Sequence, residues 1–226
     1  MVTAIIVAAG SSRRIGFDKL LALIAGKSVI EHTISAFERA KSVYDIILVA
    51  RGDRLKEFER IVRDQKKVRA VIAGGEHRQD SVRAGLQHLD DDAKYVAVHD
   101  GARPLTTPGQ IELVFAQSRS HGAAVLAEPV IDTLKRADND LFVTDSVDRR
   151  QLFAMQTPQI FERILLEKAY GKVFEEHRFI TDEVSAVESL GQPVVLVPSD
   201  DFNFKITYER DLRLAESILR ERASCQ

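Results

Sequence analysis

The sequence predicts an α/β fold, a doubly wound, mainly parallel sheet with a projecting β-hairpin arm. Three observations carry this. Short runs rich in Val, Ile and Ala recur along the chain, segments of helical spacing lie between them, and one stretch, 132–150, breaks the alternation.

The apolar runs are 3–8, 45–50, 68–73, 95–99, 123–128 and 193–198. Their continuous apolar character suits strands buried on both faces of a parallel sheet. Helical spacing puts Ile30, Ile34 and Phe37 on one face of 29–40. It does the same for Leu55, Phe58 and Val62 in 54–63, and for Ile111, Val114 and Phe115 in 108–121. This alternation predicts right-handed βαβ crossovers. A short helix over 82–88 and an amphipathic helix over 208–222, with Leu212, Ala215, Ile218 and Leu219 inward, complete the series. In 132–150, runs 133–136 and 141–144 flank Ala137-Asp138-Asn139-Asp140, which reads as a hairpin around a turn. Its half-polar runs suit the central sheet poorly. It is either an arm that packs on a second subunit or a solvated surface hairpin. With no repeat, low-complexity tract or linker in view, residues 1–226 form a single domain, with 132–150 as its arm.

Composition narrows function mainly by exclusion. Hydrophobic residues are 45% of the 226 and charged residues 29%, enough for a core and a charged coat. Lys plus Arg is 32 against 34 for Asp plus Glu, a formal net charge of −2. That balance argues against a nucleic-acid binder, while leaving room for a local basic site. The single cysteine, Cys225, excludes an internal disulfide and a metal finger. The first ten residues show no basic leader, and their apolar run is too short for a signal or a membrane span. A reduced cytoplasmic setting, with no membrane partner, is the expectation.

Polar clusters at strand ends supply the candidate chemistry. The loop Ala8-Ala9-Gly10-Ser11-Ser12-Arg13-Arg14-Ile15-Gly16-Phe17-Asp18-Lys19 follows the first run directly. Its small residues let backbone N–H groups approach a ligand, and Arg13, Arg14 and Lys19 add cations, which together suit a polyphosphate. The other reading is a surface loop with solvated charges. The loop is neither G-x-G-x-x-G nor a Walker A loop. His99-Asp100-Gly101-Ala102-Arg103-Pro104 ends a second run. There Asp100 suits a sugar hydroxyl or a divalent metal, Arg103 suits a phosphate, and His99 reads as packing at the strand end rather than as catalytic. Gly74-Gly75-Glu76-His77-Arg78-Gln79-Asp80-Ser81 allows close backbone approach, with Asp80 or Ser81 as a helix N-cap. Lys205, in Phe202-Asn203-Phe204-Lys205-Ile206-Thr207, is either a ligand group or a snorkelling surface residue. Gln156-Thr157-Pro158-Gln159 and Thr181-Asp182-Glu183 each read as a turn or a helix cap. Several cations at one crevice of a nearly neutral chain favour a small phosphorylated ligand over a long polyanion.

In order, these clusters resemble the small cytidylyltransferases of the nucleotidyltransferase superfamily, and within them the 2-C-methyl-D-erythritol 4-phosphate cytidylyltransferases. The resemblance spans essentially the whole chain and includes Asp132-Thr133-Leu134-Lys135-Arg136 and Val147-Asp148-Arg149. It implies a Rossmann-like nucleotidyltransferase fold and a Mg²⁺-assisted reaction. The phosphate of a sugar-alcohol phosphate attacks the α-phosphorus of CTP and pyrophosphate leaves. By the same resemblance, the backbone of Ala8, Ala9 and Gly10 holds cytosine together with Gly75, Glu76 and Ser81. Asp100 lies near the ribose and metal, and Arg14, Lys19 and Lys205 grip the triphosphate as the catalytic cations. Arg103, Thr133, Arg149 and Thr181 hold the second substrate, with Arg149 and Thr181 reaching across a homodimer interface built by the arm. The chain departs from the family pattern at Ser12, where Gly is usual, and at Asp18-Lys19-Leu20, where Pro-Lys-Gln is usual. Asp18 thereby sets an anion beside the triphosphate lysine. The competing readings are a ribitol 5-phosphate cytidylyltransferase and a non-catalytic nucleotide sensor on the same fold. Gly101-Ala102 and the Lys135-Arg136 pair favour methylerythritol phosphate over ribitol phosphate, and retention of both sets of site residues disfavours a sensor.

Overall fold

The structure is a computed structural model and describes residues 1–10 and 18–224. In chain order the strands and helices are β1 (Val2–Ala8), β2 (Leu23–Ile24), β3 (Lys27–Ser28), α1 (Val29–Arg39), β4 (Val43–Ala50), α2 (Leu55–Ile61), β5 (Val68–Ala73), α3 (Arg78–Leu86), β6 (Tyr95–Asp100), α4 (Pro108–His121), β7 (Ala123–Pro129), β8 (Leu134–Ala137), β9 (Val143–Val147), β10 (Phe153–Glu162), α5 (Arg163–Glu175), α6 (Glu183–Glu188), β11 (Val195–Pro198) and α7 (Glu209–Ser224).

Seven strands form one sheet in the order β11-β7-β10-β6-β1-β4-β5. β1 runs parallel to β4 and β6, β4 to β5, and β7 to β11. Alternate strand residues divide the core between two faces. Ala4, Ile6, Ile46 and Leu48 pack with Ile30, Ile34 and Phe37 of α1, Phe58 of α2, Ile111 of α4 and Ile218 of α7. Ile5, Ile47, Val96 and Val98 pack with Val82 of α3, Leu166 and Val173 of α5 and Val187 of α6. Helices on both faces of a mainly parallel sheet are the predicted fold class.

Local chemistry sets the helix boundaries. Ser28 and Glu31 form a capping box at the start of α1, and Thr107, Pro108 and Gln110 start α4 in the same way. Gly122, at φ 81°, ends α4. Gly85 lets α3 lie against β1, because an added Cβ would stand 2.6 Å from Ile5 Cγ2.

The structure corrects the sequence reading in several places. Gln156-Thr157-Pro158-Gln159 is neither a free turn nor a helix cap. It lies within β10, which inserts antiparallel between β6 and β7. Its pairing with β7 slips between Met155 and Gln159, and the Thr157–Pro158 peptide is cis. Proline has no N–H to donate, so it fits at such an irregularity. The helix expected over 82–88 starts earlier, at Arg78 with His77 as N-cap. The Asp80 carboxylate accepts a hydrogen bond from the His77 N–H at 2.9 Å. α5 and α6 are additional elements, and Asp182 is the N-cap of α6, accepting from the Ser185 N–H at 3.1 Å.

The hairpin is present as β8 and β9, a two-stranded sheet separate from the seven-stranded one. The Asp138 carboxylate organises its turn, accepting from the N–H groups of Asp140 and Phe142. Its tip exposes Leu141, Phe142 and Val143, with relative exposures of 85%, 71% and 66%.

Candidate active site

The carboxyl ends of β1, β5 and β6 bring the predicted loops together, where open α/β sheets bind ligands. An added Cβ at Gly74 would stand 2.6 Å from both Ala9 Cβ and Ser81 Oγ, and one at Gly75 would stand 2.3 Å from Asp80 Cβ. Gly74 therefore lets the first loop and the β5–α3 loop meet, and Gly75 lets its own loop fold tightly onto the start of α3. Ser81 braces the second loop, accepting from the Gly75 N–H and donating to the His77 carbonyl, each at 3.2 Å. Glu76 and Gly10 are exposed beside it, and Ala8 is buried at the end of β1. Arg14, with the rest of 11–17, lies outside the described residues.

Asp100, the last residue of β6, gathers cations from three parts of the chain. Arg78 Nε is 3.1 Å from its Oδ1, and Lys205 Nζ is 3.0 Å from its Oδ2. Arg103 Nε lies 3.5 Å from Oδ2, while Arg103 Nη1 donates to the Asn203 carbonyl at 2.7 Å. Burial raises the cost of ionising Asp100, but attraction to Arg78, Lys205 and Arg103 outweighs it and holds the carboxyl well below its usual range. Lys205 thus reaches the site rather than snorkelling away from it. The segment carrying it is pinned across the β6 loop, since the Ile206 N–H donates to the Ala102 carbonyl at 2.8 Å. Lys19 Nζ donates to the Ile206 carbonyl at 2.7 Å, which sets a further cation on this segment. The Asp18 carboxylate caps its own turn through the Leu20 N–H.

A cavity of about 390 Å³ opens beside Asp100, lined by Arg78, Arg103, Gln156, Thr157, Thr181, Asp182 and Lys205. Its volume suits a small ligand. Thr181 lines it from the same chain, so it needs no subunit interface to reach Asp100, contrary to the role the resemblance implied. Thr133 and Arg149 are exposed on the arm and do not line this cavity; the Arg149 guanidinium donates to the Ile131 carbonyl.

His99 is fully buried behind the site. Thr157 Oγ1, which accepts from the Asp100 N–H at 3.1 Å, sits 3.0 Å from His99 Nδ1. Thr106 Oγ1 lies 3.4 Å from Nε2 and donates to Asn203 Oδ1 at 2.5 Å. These partners suit a neutral ring that accepts at Nδ1 and donates at Nε2. Burial lowers its pKa from 6.5 to about 3, against the pull of Asp100. The unfolded chain takes up this proton near pH 6.5 and the folded chain does not until about pH 3, so stability falls as pH drops through that window. The group is expected to remove about 3 kcal/mol of stability between pH 7 and pH 4. Urea unfolding at stepped pH checks this, and the His99→Gln protein should lose that part of the slope.

With this geometry in view, the comparisons with known proteins are specific. The family model for 2-C-methyl-D-erythritol 4-phosphate cytidylyltransferase matches residues 2–221. The chain belongs to this family. A 2-C-methyl-D-erythritol 4-phosphate cytidylyltransferase of Caldanaerobacter subterraneus is 41% identical over 225 residues, covering 97% of this chain and 99% of the relative. One of Pelotomaculum thermopropionicum is 40% identical over 228 residues, covering 98% and 95%. Among solved structures, the 4-diphosphocytidyl-2C-methyl-D-erythritol synthase of Anaerococcus prevotii superposes with a TM-score of 0.86 at 28% identity, covering 97% of this chain and 96% of that one.

Within this cytidylyltransferase frame, three side chains at the site escaped the sequence reading. Arg78 carried a signal, because a cation in the first turn of a helix opposes the dipole and calls for an acidic partner. That partner, fully buried Glu183, read only as part of a cap motif. Asn203, 1% exposed, donates to Gln156 Oε1 and the Thr157 carbonyl at 3.1 and 2.8 Å. Its position between Phe202 and Phe204 was the available signal.

Among the described residues, no group of three or more His, Cys, Asp and Glu side chains is arranged to hold a metal ion. Asp100 is a single carboxylate beside proposed phosphate-binding cations. That donor set fits Mg²⁺, which commonly binds one or two carboxylates with substrate phosphates and water.

Proposed function

We propose that this chain transfers the cytidylyl group of CTP to 2-C-methyl-D-erythritol 4-phosphate, giving 4-diphosphocytidyl-2-C-methyl-D-erythritol and pyrophosphate in non-mevalonate isoprenoid precursor biosynthesis. One observation carries the reading at the level of chemistry. Lys205, Arg103 and Arg78 converge on Asp100 at a strand end, with Lys19 anchored to the adjoining segment.

The attacking phosphate is already anionic at neutral pH, so no general base is needed. The obstacle is repulsion between two anions and charge build-up at the α-phosphorus. Fixed cations meet it by positioning and electrostatic stabilisation. Arg14, Lys19 and Lys205 grip the triphosphate. The Ala8-Ala9-Gly10 backbone, Gly75, Glu76 and Ser81 hold cytosine. Arg103 and Thr181 hold the methylerythritol phosphate, joined by Thr133 and Arg149 from the arm of a second copy. Asp100 meets the ribose and supplies the protein carboxylate for Mg²⁺, which when bound offsets charge on the triphosphate. Before substrates arrive, Asp100 occupies Lys205 and Arg103. Substrate phosphates then compete for these cations and free the carboxylate.

The reading includes a single nucleotidyltransferase domain over 1–226, a homodimer formed through 132–150, and a cytoplasmic setting in keeping with one cysteine. Among the described residues, no helix is long and apolar enough to cross a membrane. The exposed Leu141, Phe142 and Val143 support the dimer, because apolar side chains clustered on an arm mark an interaction surface. Leu141→Asp with Phe142→Asp is expected to raise the dimer dissociation constant at least about tenfold. Sedimentation equilibrium reads this shift.

Transfer is tested with alcohol phosphate carrying ¹⁸O on its phosphate. The label is expected in the CDP-alcohol, with unlabelled pyrophosphate released. Label in pyrophosphate or in free orthophosphate contradicts attack by the substrate phosphate on the α-phosphorus.

A further inference from the structure

Glu183 is a carboxylate with no exposed surface. Such a group is tolerated only when its oxygens are occupied. Arg78 Nη1 and Nη2 donate to its two oxygens at 2.6 and 2.9 Å, and the Tyr170 hydroxyl donates to Oε1 at 2.9 Å. Arg78 Nε, the remaining edge of the guanidinium, reaches Asp100 at 3.1 Å. The planar guanidinium is therefore a rigid plate between two carboxylates, with its fork on Glu183 and its edge on Asp100.

Two consequences follow from this arrangement. Glu183 offsets the charge of Arg78, so the pull on substrate anions comes mainly from Arg103 and Lys205. Arg78 is also fixed in place although it begins α3, where the helix dipole repels a cation. Glu183 itself is held at the start of α6, where its backbone N–H donates to Gln159 Oε1 at 3.2 Å. The orientation of Asp100 is thus referred back to buried groups on α5 and α6.

We propose that Glu183, braced by Tyr170, is a positioning residue that acts through the Arg78 guanidinium to fix how Asp100 meets the nucleotide. This rests on the reading of Asp100 given above. A lysine at position 78 cannot span both carboxylates as the planar guanidinium does, so charge alone does not replace it.

A double-mutant cycle in kcat/KM tests this. Glu183→Gln and Arg78→Gln are each expected to lower kcat/KM by about 10–100-fold, in kcat rather than in KM for CTP. The double variant should fall no more than about twofold below the weaker single variant. Tyr170→Phe keeps the ring and should lower kcat by about three- to tenfold in a protein still folded at the assay temperature, with a lowered melting transition because a donor to a buried carboxylate is lost. Arg78→Lys should not restore kcat. Additive losses, a full rescue by Arg78→Lys, or an unchanged kcat in Tyr170→Phe each overturn the proposal, and Tyr170→Phe decides alone where Glu183→Gln fails to fold. Asp100→Asn run alongside separates the two claims. Near-normal turnover there means the reading of Asp100 has failed. A large loss there beside unaffected Glu183→Gln and Tyr170→Phe overturns the positioning role by itself.

Discussion

Asp100→Asn is expected to lower kcat by about 10²–10³-fold while the protein stays folded, the loss typical when a placed electrostatic group is removed from such a site. Asparagine keeps the size of the side chain and removes the charge that Arg78, Lys205 and Arg103 share. The stability cost should be about 1–3 kcal/mol, below that of a fully orphaned buried ion. It is limited because Arg78 retains Glu183 and Arg103 retains the Asn203 carbonyl. The pH dependence has a definite sign. The folded carboxyl is held below its usual range, so its contribution is present above the unfolded value near pH 4 and is lost as pH falls below it. The Asn variant should therefore lose less stability than the parent on acidification below about pH 4. Steady-state turnover and urea midpoints at pH 7 and pH 3 check both parts.

Lys205→Ala is expected to cost about 10³-fold in turnover, the lower end of what a cation at a transferring phosphoryl group contributes. Its stability cost should stay within about 1 kcal/mol, since the Lys205 side chain is 37% exposed and its ion pair with Asp100 is partly solvated. Lys19→Ala should behave in the same direction, because its ammonium also lies on the segment 205–206. Near-normal turnover by a folded Lys19→Ala protein removes the role given to the first loop. Rapid-quench turnover measured beside a urea unfolding curve separates the two effects.

The contrast between these variants shows which parts of the molecule are legible in sequence. Six strands are legible because each carries a short apolar run, which in β1, β4, β6 and β7 is largely buried and in the edge strands β5 and β11 only partly so. β10 is not, because Gln156, Thr157 and Pro158 interrupt its apolar pattern where the pairing slips and the chain turns polar atoms toward the cavity. α5 has the right spacing in Leu166, Ala169, Tyr170 and Val173, but Glu162 at its N-cap makes no side-chain hydrogen bond, so no start signal marks it. At the site, the strand-end positions of Asp100, Arg103 and the glycines follow from the order of elements. Their pairings do not. Lys205 meets Asp100 across 105 residues, and Arg78 meets Glu183 across 105, because sheet order and the insertion of β10 set these distances, not local pattern. Family resemblance reached Lys205 and Thr181 by motif, yet it implied a subunit crossing for Thr181 that the cavity makes unnecessary.

In the proposed function, one small crevice takes CTP and a particular alcohol phosphate. The most direct measurement is pyrophosphate release with CTP and Mg²⁺ plus either 2-C-methyl-D-erythritol 4-phosphate or ribitol 5-phosphate, with CTP alone as the baseline. Rapid release is expected with the methylerythritol phosphate, and release near the baseline with ribitol 5-phosphate. Release with ribitol 5-phosphate alone contradicts the assigned substrate. No release with either, by a protein that still binds CTP, contradicts catalysis itself and leaves a nucleotide sensor.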